Sequence, residues 1–175
     1  MGIILSTEKP EDYEEVINLT DLAFKDMPFS NHKEGELVHK LRKGPNFVEE
    51  LSIVAKLDGK IIGHILFTKL YIKDVEKSYE TLELAPVSVL PEYQRKGIGS
   101  MLINEGLKRA KEMGFKSVMV VGHPDYYPRF GFQKAEKYNI KSSIEVPADV
   151  FMAIELIENG LKDVAGTLIY PEEFA

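Results

Sequence analysis

The stretch that most constrains this chain is Leu82-Glu-Leu-Ala-Pro-Val-Ser-Val-Leu-Pro-Glu-Tyr-Gln-Arg-Lys-Gly-Ile-Gly99. An apolar strand runs into Pro91, which has no amide proton to give a central ladder and so ends it. A short polar turn follows, with Gly97 and Gly99 bracketing Ile98, and then a long amphipathic run begins. Strand, glycine turn and helix head together make an anion site. The glycines let the backbone come close to a ligand, and the first-turn amides have no partner inside the helix. Those amides and the positive end of the helix dipole favour a phosphate. Two phosphate fingerprints are missing. No Gly-Lys-Ser/Thr follows a spaced glycine, and no Gly-x-Gly-x-x-Gly is followed by a distant acidic residue, so neither a Walker loop nor a dinucleotide site is expected.

The rest of the chain supplies a layered α/β frame for that turn. Ile3-Ile4-Leu5 reads as a first strand. Pro10 suits a first helical turn, with Glu11 and Asp12 behind it to complement the dipole. Tyr13, Val16, Ile17, Ala23 and Phe24 recur at helical spacing, and a second helix is predicted over Glu34 to Arg42, with Leu37, Val38 and Leu41 inward. Leu51 to Leu57 alternates as a strand, Asp58-Gly59 is a hairpin turn, and Lys60 to Tyr71 returns with Gly63 as a bulge or point of close approach. Leu82 to Leu90 is the third strand. A helical wheel puts Ile98, Leu102, Ile103, Gly106, Leu107, Ala110 and Met113 on one half of the next helix, and Gly114 caps it. Ser117 to Val121 lacks polar alternation and reads as a buried parallel strand. Phe151 to Leu156 and Thr167 to Tyr170 close the chain as strands. No repeat, low-complexity tract or linker interrupts residues 1–175, which are expected to form one domain.

Composition narrows the function. A chain of 175 residues with 44% apolar and 29% charged residues can bury a sizeable core. Its formal charge of −6 speaks against non-specific nucleic-acid binding. No apolar run reaches the ~20 residues of a membrane span, and Met1-Gly2-Ile3-Ile4-Leu5 lacks the basic flank of a signal peptide. Cysteine is absent, which removes disulfides, thiolate metal sites and a cysteine nucleophile and accords with a cytoplasmic protein. His32, His39, His64 and His123 have no ligand spacing, so no metal site is expected. Arg95 and Lys96 stand in the turn itself, well placed for phosphates, whereas Lys108, Arg109 and Lys111 read as a solvated helix face.

Gln94-Arg-Lys-Gly-Ile-Gly99 resembles the (Gln/Arg)-x-x-Gly-x-(Gly/Ala) signature of the GNAT superfamily of N-acetyltransferases. The run Gly122-x-Pro-x-Tyr-Tyr-x-Arg-Phe-Gly-Phe132 is similar to that of the YhbS-like acetyltransferases within it. The resemblance implies an α/β (α+β) fold: a central mixed, mostly antiparallel, twisted sheet flanked by helices and splayed at its central strands. It implies acetyl-CoA as co-substrate, with the diphosphate gripped by Gln94, Arg95, Lys96, Gly97, Ile98, Gly99 and Ser100. The backbone of Val87, Ser88 and Val89 would pair with the pantetheine arm and the thioester carbonyl, an arrangement suited to an oxyanion hole. Pro86 removes one ladder donor where that splay would begin. Gln94 stands where many members carry arginine, with Arg95 and Lys96 to compensate.

Two residues then stand out for chemistry. Tyr127 occupies the tyrosine of the family's Tyr-x-x-x-Gly-Phe box and would protonate the departing thiolate; Tyr126 beside it reads as aromatic packing. An attacking amine is an ammonium at neutral pH, with a pKa near ~10, and something must take its proton. Glu83 lies in an otherwise apolar strand, eleven residues before Gln94, the offset at which several family members keep a glutamate. A strand-end glutamate facing water is the alternative reading, and His64 and His123 are alternative bases. The expected activity is transfer of an acetyl group to a primary amine, on a small molecule or peptide, by direct attack on the thioester. A non-catalytic CoA-binding module and transfer of another acyl group remain open, as does a homodimer.

Overall fold

Pro10 opens a single 3-10 turn, and the Asp12 carboxylate accepts the Lys9 amide across it at 3.0 Å, which launches the first helix. The computed structural model describes residues 2–175. In chain order the elements are β1 (Ile3–Thr7), α1 (Tyr13–Phe24), α2 (Glu34–Lys43), β2 (Phe47–Leu57), β3 (Lys60–Lys73) and β4 (Ser78–Val89). They continue with α3 (Ile98–Glu112), β5 (Ser117–Val121), β6 (Gln133–Lys134), β7 (Ile140–Ser142), β8 (Phe151–Glu155) and β9 (Gly166–Ile169). Backbone proximity divides them into two units that share strands β3 and β4. The first runs to Phe67 and resumes over Ala85–Arg109; the second takes Thr68–Leu84 and Ala110–Ala175.

In the first unit the strand order is β1-β2-β3-β4, with β1 antiparallel to β2 from Ile3↔Leu57 to Thr7↔Ile53. Asp58 and Gly59 both take positive φ, as a type I′ hairpin requires. α1 buries Val16, Leu19 and Ala23, and α2 buries Val38 and Leu41, the i, i+3, i+4 stripes that burying one helical face requires. α3 packs on β3 at two glycines. A Cβ on Gly63 would stand 3.1 Å from Leu102 and 3.2 Å from Ile98, and one on Gly106 would stand 2.1 Å from the Phe67 ring. Gly63 is therefore a point of close approach.

Residues 51–55 are buried on both faces, where the sequence predicts alternation. The reason is a sealed polar network. The Ser52 hydroxyl donates to Glu8 at 2.7 Å and lies 2.9 Å from His64 Nε2, and Arg42 grips the same Glu8 carboxylate with two nitrogens. Arg109 also departs from expectation. It donates to Glu105, to the Thr7 hydroxyl and to the Glu50 carbonyl, so it fastens α3 instead of facing water.

In the second unit the order is β3-β4-β5-β8-β6, with β9 added beside β3 and β7 beside β9. β5 runs antiparallel to β8, and β8 to β6; β4 with β5 and β7 with β9 are parallel. The sheet is thus mixed and mostly antiparallel. The β4–β5 register is Glu83↔Met119. Leu70, Ile72, Met119, Phe151, Ala153 and Leu168 form the core, with Tyr170 and Phe174 packed against it. Gly114 closes α3 at φ 95°, its amide bonded to Lys111 and the Phe115 amide to Ala110, the paired bonds of a Schellman cap. Met113 falls beyond the helix and is exposed.

Candidate functional site

The turn after β4 is set by its own hydrogen bonds. A 3-10 turn over Pro91–Tyr93 carries the chain round, and the Gln94 amide donates to the Pro91 carbonyl at 3.3 Å. The Gln94 side chain turns back and donates to the Val89 carbonyl at 2.9 Å, closing the turn onto the strand end. Arg95 and Gly97 then take left-handed φ of 63° and 83°. An added Cβ at Gly97 meets nothing within 4 Å, so glycine is there for its backbone freedom, not for space. The first rung of α3 is the Met101 amide on the Gly97 carbonyl, which leaves the Ile98 and Gly99 amides without an acceptor inside the helix. Arg95 and Lys96 are exposed. Lys60 and Lys96 stand 5.9 and 5.6 Å from the centre of the Tyr93 ring, so three cations gather at this turn in an acidic chain. Upstream, Val87 and Val89 are half-buried on one face of β4, while Pro86 and Ser88 are buried on the other. The Ser88 hydroxyl is buried without a hydrogen-bond partner among the described residues.

The second unit holds the titratable groups. Glu83 is only 2% exposed, so it does not face water. Burial raises its pKa to about 8, with the Tyr170 hydrogen bond pulling the other way. Tyr170 donates from its hydroxyl to Oε2 at 2.8 Å, and Oε1 has no hydrogen-bond partner among the described residues. Tyr127 is 7% exposed, the first residue of a 3-10 turn (Tyr127–Phe130) that Gly131 ends in a left-handed conformation. Its ring meets Tyr126 and Phe132 edge-on, with centroids 5.2 and 5.7 Å apart. A Cβ on Gly122 would lie 2.2 Å from that ring, which explains the glycine ten residues before Phe132. Burial, then the neighbouring Tyr126 and Glu83, push the Tyr127 phenol up, so it stays protonated and keeps a hydroxyl hydrogen to donate.

The residues singled out in the sequence thus fall into two sets. Val87 to Val89 and Gln94 to Ser100 lie in the first unit, Glu83 and Tyr127 in the second, and β4 carries residues of both sets. Gln94 spends its amide and side chain on shaping the turn. His64 is sealed in the Glu8 network and its pKa is lowered to about 3, chiefly by burial and then by Arg42. With the Ser52 hydroxyl proton given to Glu8, a neutral His64 would carry its own proton on Nε2 toward Ser52, so that nitrogen is engaged inside the network. The sequence does not single out Tyr170: it follows the last strand, 87 residues from Glu83, and nothing local marks it as a partner.

Two solved structures over 25% identical to this chain share its fold. The GNAT family N-acetyltransferase YhbS from Escherichia coli, in complex with CoA, superposes with a TM-score of 0.88 at 26% identity, covering 98% of this chain and 91% of that one. A GNAT family acetyltransferase from Brucella melitensis, in complex with acetyl-CoA, gives 0.79 at 32% identity, with 99% and 98% covered. The sequence is more particular: the model of the Acetyltransferase (GNAT) family matches residues 16–132, and the chain belongs to that family. Among curated relatives, the uncharacterized N-acetyltransferase YhbS of E. coli is 30% identical over 147 residues, 83% of this chain and 86% of that protein. The uncharacterized N-acetyltransferase YjhQ of E. coli is 42% identical over 105 residues, 60% of this chain and 58% of YjhQ, so the match spans less than two thirds of that relative. No helix among the described residues is long and apolar enough to cross a membrane.

Proposed function

We propose that this protein is an acetyl-CoA-dependent N-acetyltransferase acting on a primary amine, carried by a small molecule or a peptide, in direct attack on the thioester. The observation that most supports the reading is on β4. One strand carries a buried carboxyl at Glu83 and, four residues on, the half-buried Val87–Val89 face that leads into the cationic turn. The exposed left-handed turn and the amides at the head of α3 suit a diphosphate. Gln94, Arg95, Lys96, Gly97, Ile98, Gly99 and Ser100 would hold it, Gln94 by keeping the turn in shape. The main chain of Val87, Ser88 and Val89 would take the pantetheine arm and the carbonyl. Acetyl-CoA supplies the acyl group already activated as a thioester.

Glu83 accepts the proton that the amine must lose, and a carboxyl with a pKa of about 8 is better matched to an ammonium than an ordinary one. Tyr127, held protonated by burial, gives its hydroxyl proton to the leaving sulfur. The new bond is nitrogen to acyl carbon and the bond lost is carbon to sulfur. An ammonium loses two protons on becoming the amide: the first goes to Glu83, and the second, released from the nitrogen after attack, passes through solvent to Tyr127 and restores the proton that Tyr127 gave the sulfur.

A thiol-release screen with acetyl-CoA against polyamines, amino acids, aminoglycosides and peptides tests this. We expect turnover with at least one amine, at a rate that climbs as pH rises through about 8, where Glu83 becomes a carboxylate. Calorimetry on the same sample reads acetyl-CoA binding. Tight binding with no thiol released by any amine would overturn catalysis in favour of a CoA-binding module; faster release from propionyl- or succinyl-CoA would reassign the acyl group.

A further inference from the structure

A buried carboxyl with two oxygens in unequal surroundings calls for an explanation. Glu83 Oε2 accepts the Tyr170 hydroxyl at 2.8 Å, while Oε1 is buried and has no hydrogen-bond partner among the described residues. An ionised carboxylate left half-satisfied in a dry environment is unstable. The arrangement is settled only when the carboxyl is protonated or when an outside donor reaches Oε1.

The group that creates the asymmetry is itself firmly held. β9 pairs with β3 through Tyr71↔Ile169, and β3 neighbours β4, so the residue after β9 is carried to within reach of Glu83. The Tyr170 amide donates to the Ser143 hydroxyl at 2.9 Å, and its ring packs edge-on against Phe174 with centroids 5.4 Å apart. Backbone, hydroxyl and ring are each fixed by a different neighbour. The titratable groups that act on the Glu83 carboxyl are Tyr170, from the end of β9, and Tyr127, from its 3-10 turn. Burial keeps both phenols uncharged at neutral pH.

We propose that Tyr170 is the positioning residue for the proton acceptor: its hydroxyl pins Oε2 of Glu83, so that Oε1 is the one oxygen left to meet the acceptor's amine. This rests on the reading that Glu83 takes the amine proton. A single fixed oxygen gives the acceptor nitrogen one direction of approach. Tyr170 touches neither reactant and acts only through Glu83, and the aromatic pair of Tyr170 and Phe174 makes the C-terminal segment part of the machinery.

The test is a carbon-13 titration of the Glu83 carboxyl, alongside the amine screen above. In Tyr170→Phe the ring stays and the donor goes. We expect the Glu83 titration to move to higher pH, and thiol release at pH 7 to fall by about tenfold, less than the roughly 10²–10⁴-fold that losing a general base itself costs. Acetyl-CoA affinity should stay within about twofold, and Tyr170→Phe should cost nothing further in a Glu83→Gln background, since coupled groups are not additive. Phe174→Ala, which loosens the Tyr170 ring, should move the titration the same way and serves if Tyr170→Phe fails to fold. A Glu83 titration unmoved in the folded variant overturns the proposal. If Glu83→Gln keeps full thiol release, the base assignment itself is wrong. Slow Glu83→Gln with a wild-type rate in Tyr170→Phe removes only the positioning role.

Discussion

Glu83 keeps its proton into a pH range where a free glutamate has long lost it. Its pKa rises from 4.5 to about 8 on folding because burial disfavours the charge. Between those values the folded chain holds a proton that the unfolded chain has released, so stability is full below the lower value and declines as pH climbs to the upper. His64 works in the other direction, with its pKa lowered from 6.5 to about 3, and so weakens the fold only below 6.5. From pH 6.5 to 8 the decline therefore belongs to Glu83. We expect the urea midpoint of the wild type to fall across that interval and that of Glu83→Gln to stay nearly level; a parallel fall in both proteins would contradict the burial argument. At this scale the sequence was informative where a residue broke its surroundings. Glu83 interrupts an apolar strand, and Tyr127 sits in a marked box. Tyr170 does neither, because its partner is reached through strand pairing and not through spacing.

Helix α3 is positioned by what its glycines leave out. Gly106 faces Phe67, a fully buried ring lying where any side chain would begin. Gly106→Ala should lower stability by about 1–3 kcal/mol, as overpacking does, and the smaller Phe67→Leu in the same chain should recover part of it. Denaturant titration of the two single variants and the double reads this directly; additive losses would mean that the two positions do not share one space. The sequence located α3 well because its apolar stripe and its Gly114 cap agree. It placed the start of β2 at Leu51, where the strand begins at Phe47, and expected alternation that Ser52 defeats by bonding inward. β6 and β7, two and three residues long, offered no periodic pattern to read.

Across the whole molecule, two units are served by two common strands, and each unit has its own buried anchor. That of the first is Glu8, bonded by Arg42 and Ser52 beneath the helices. Arg42→Met would strand the Glu8 carboxylate in a dry setting, and we expect a loss of about 3–5 kcal/mol, the usual result of removing one partner of a buried pair. Adding Glu8→Leu should restore much of it; a double variant as weak as the single would show that packing and not charge is at stake. Family membership was legible because it is written in contiguous residues, the turn and the tyrosine box. The amine acceptor was not, since its contacts would come from residues scattered along the chain. Because the Gln94 carboxamide latches the turn to the end of β4, the diphosphate cradle proposed above would be braced by the chain's own hydrogen bond and not by its guest. A guest then surrenders only its own freedom on docking, so capture should proceed at the pace of diffusional encounter, with no slow rearrangement behind it.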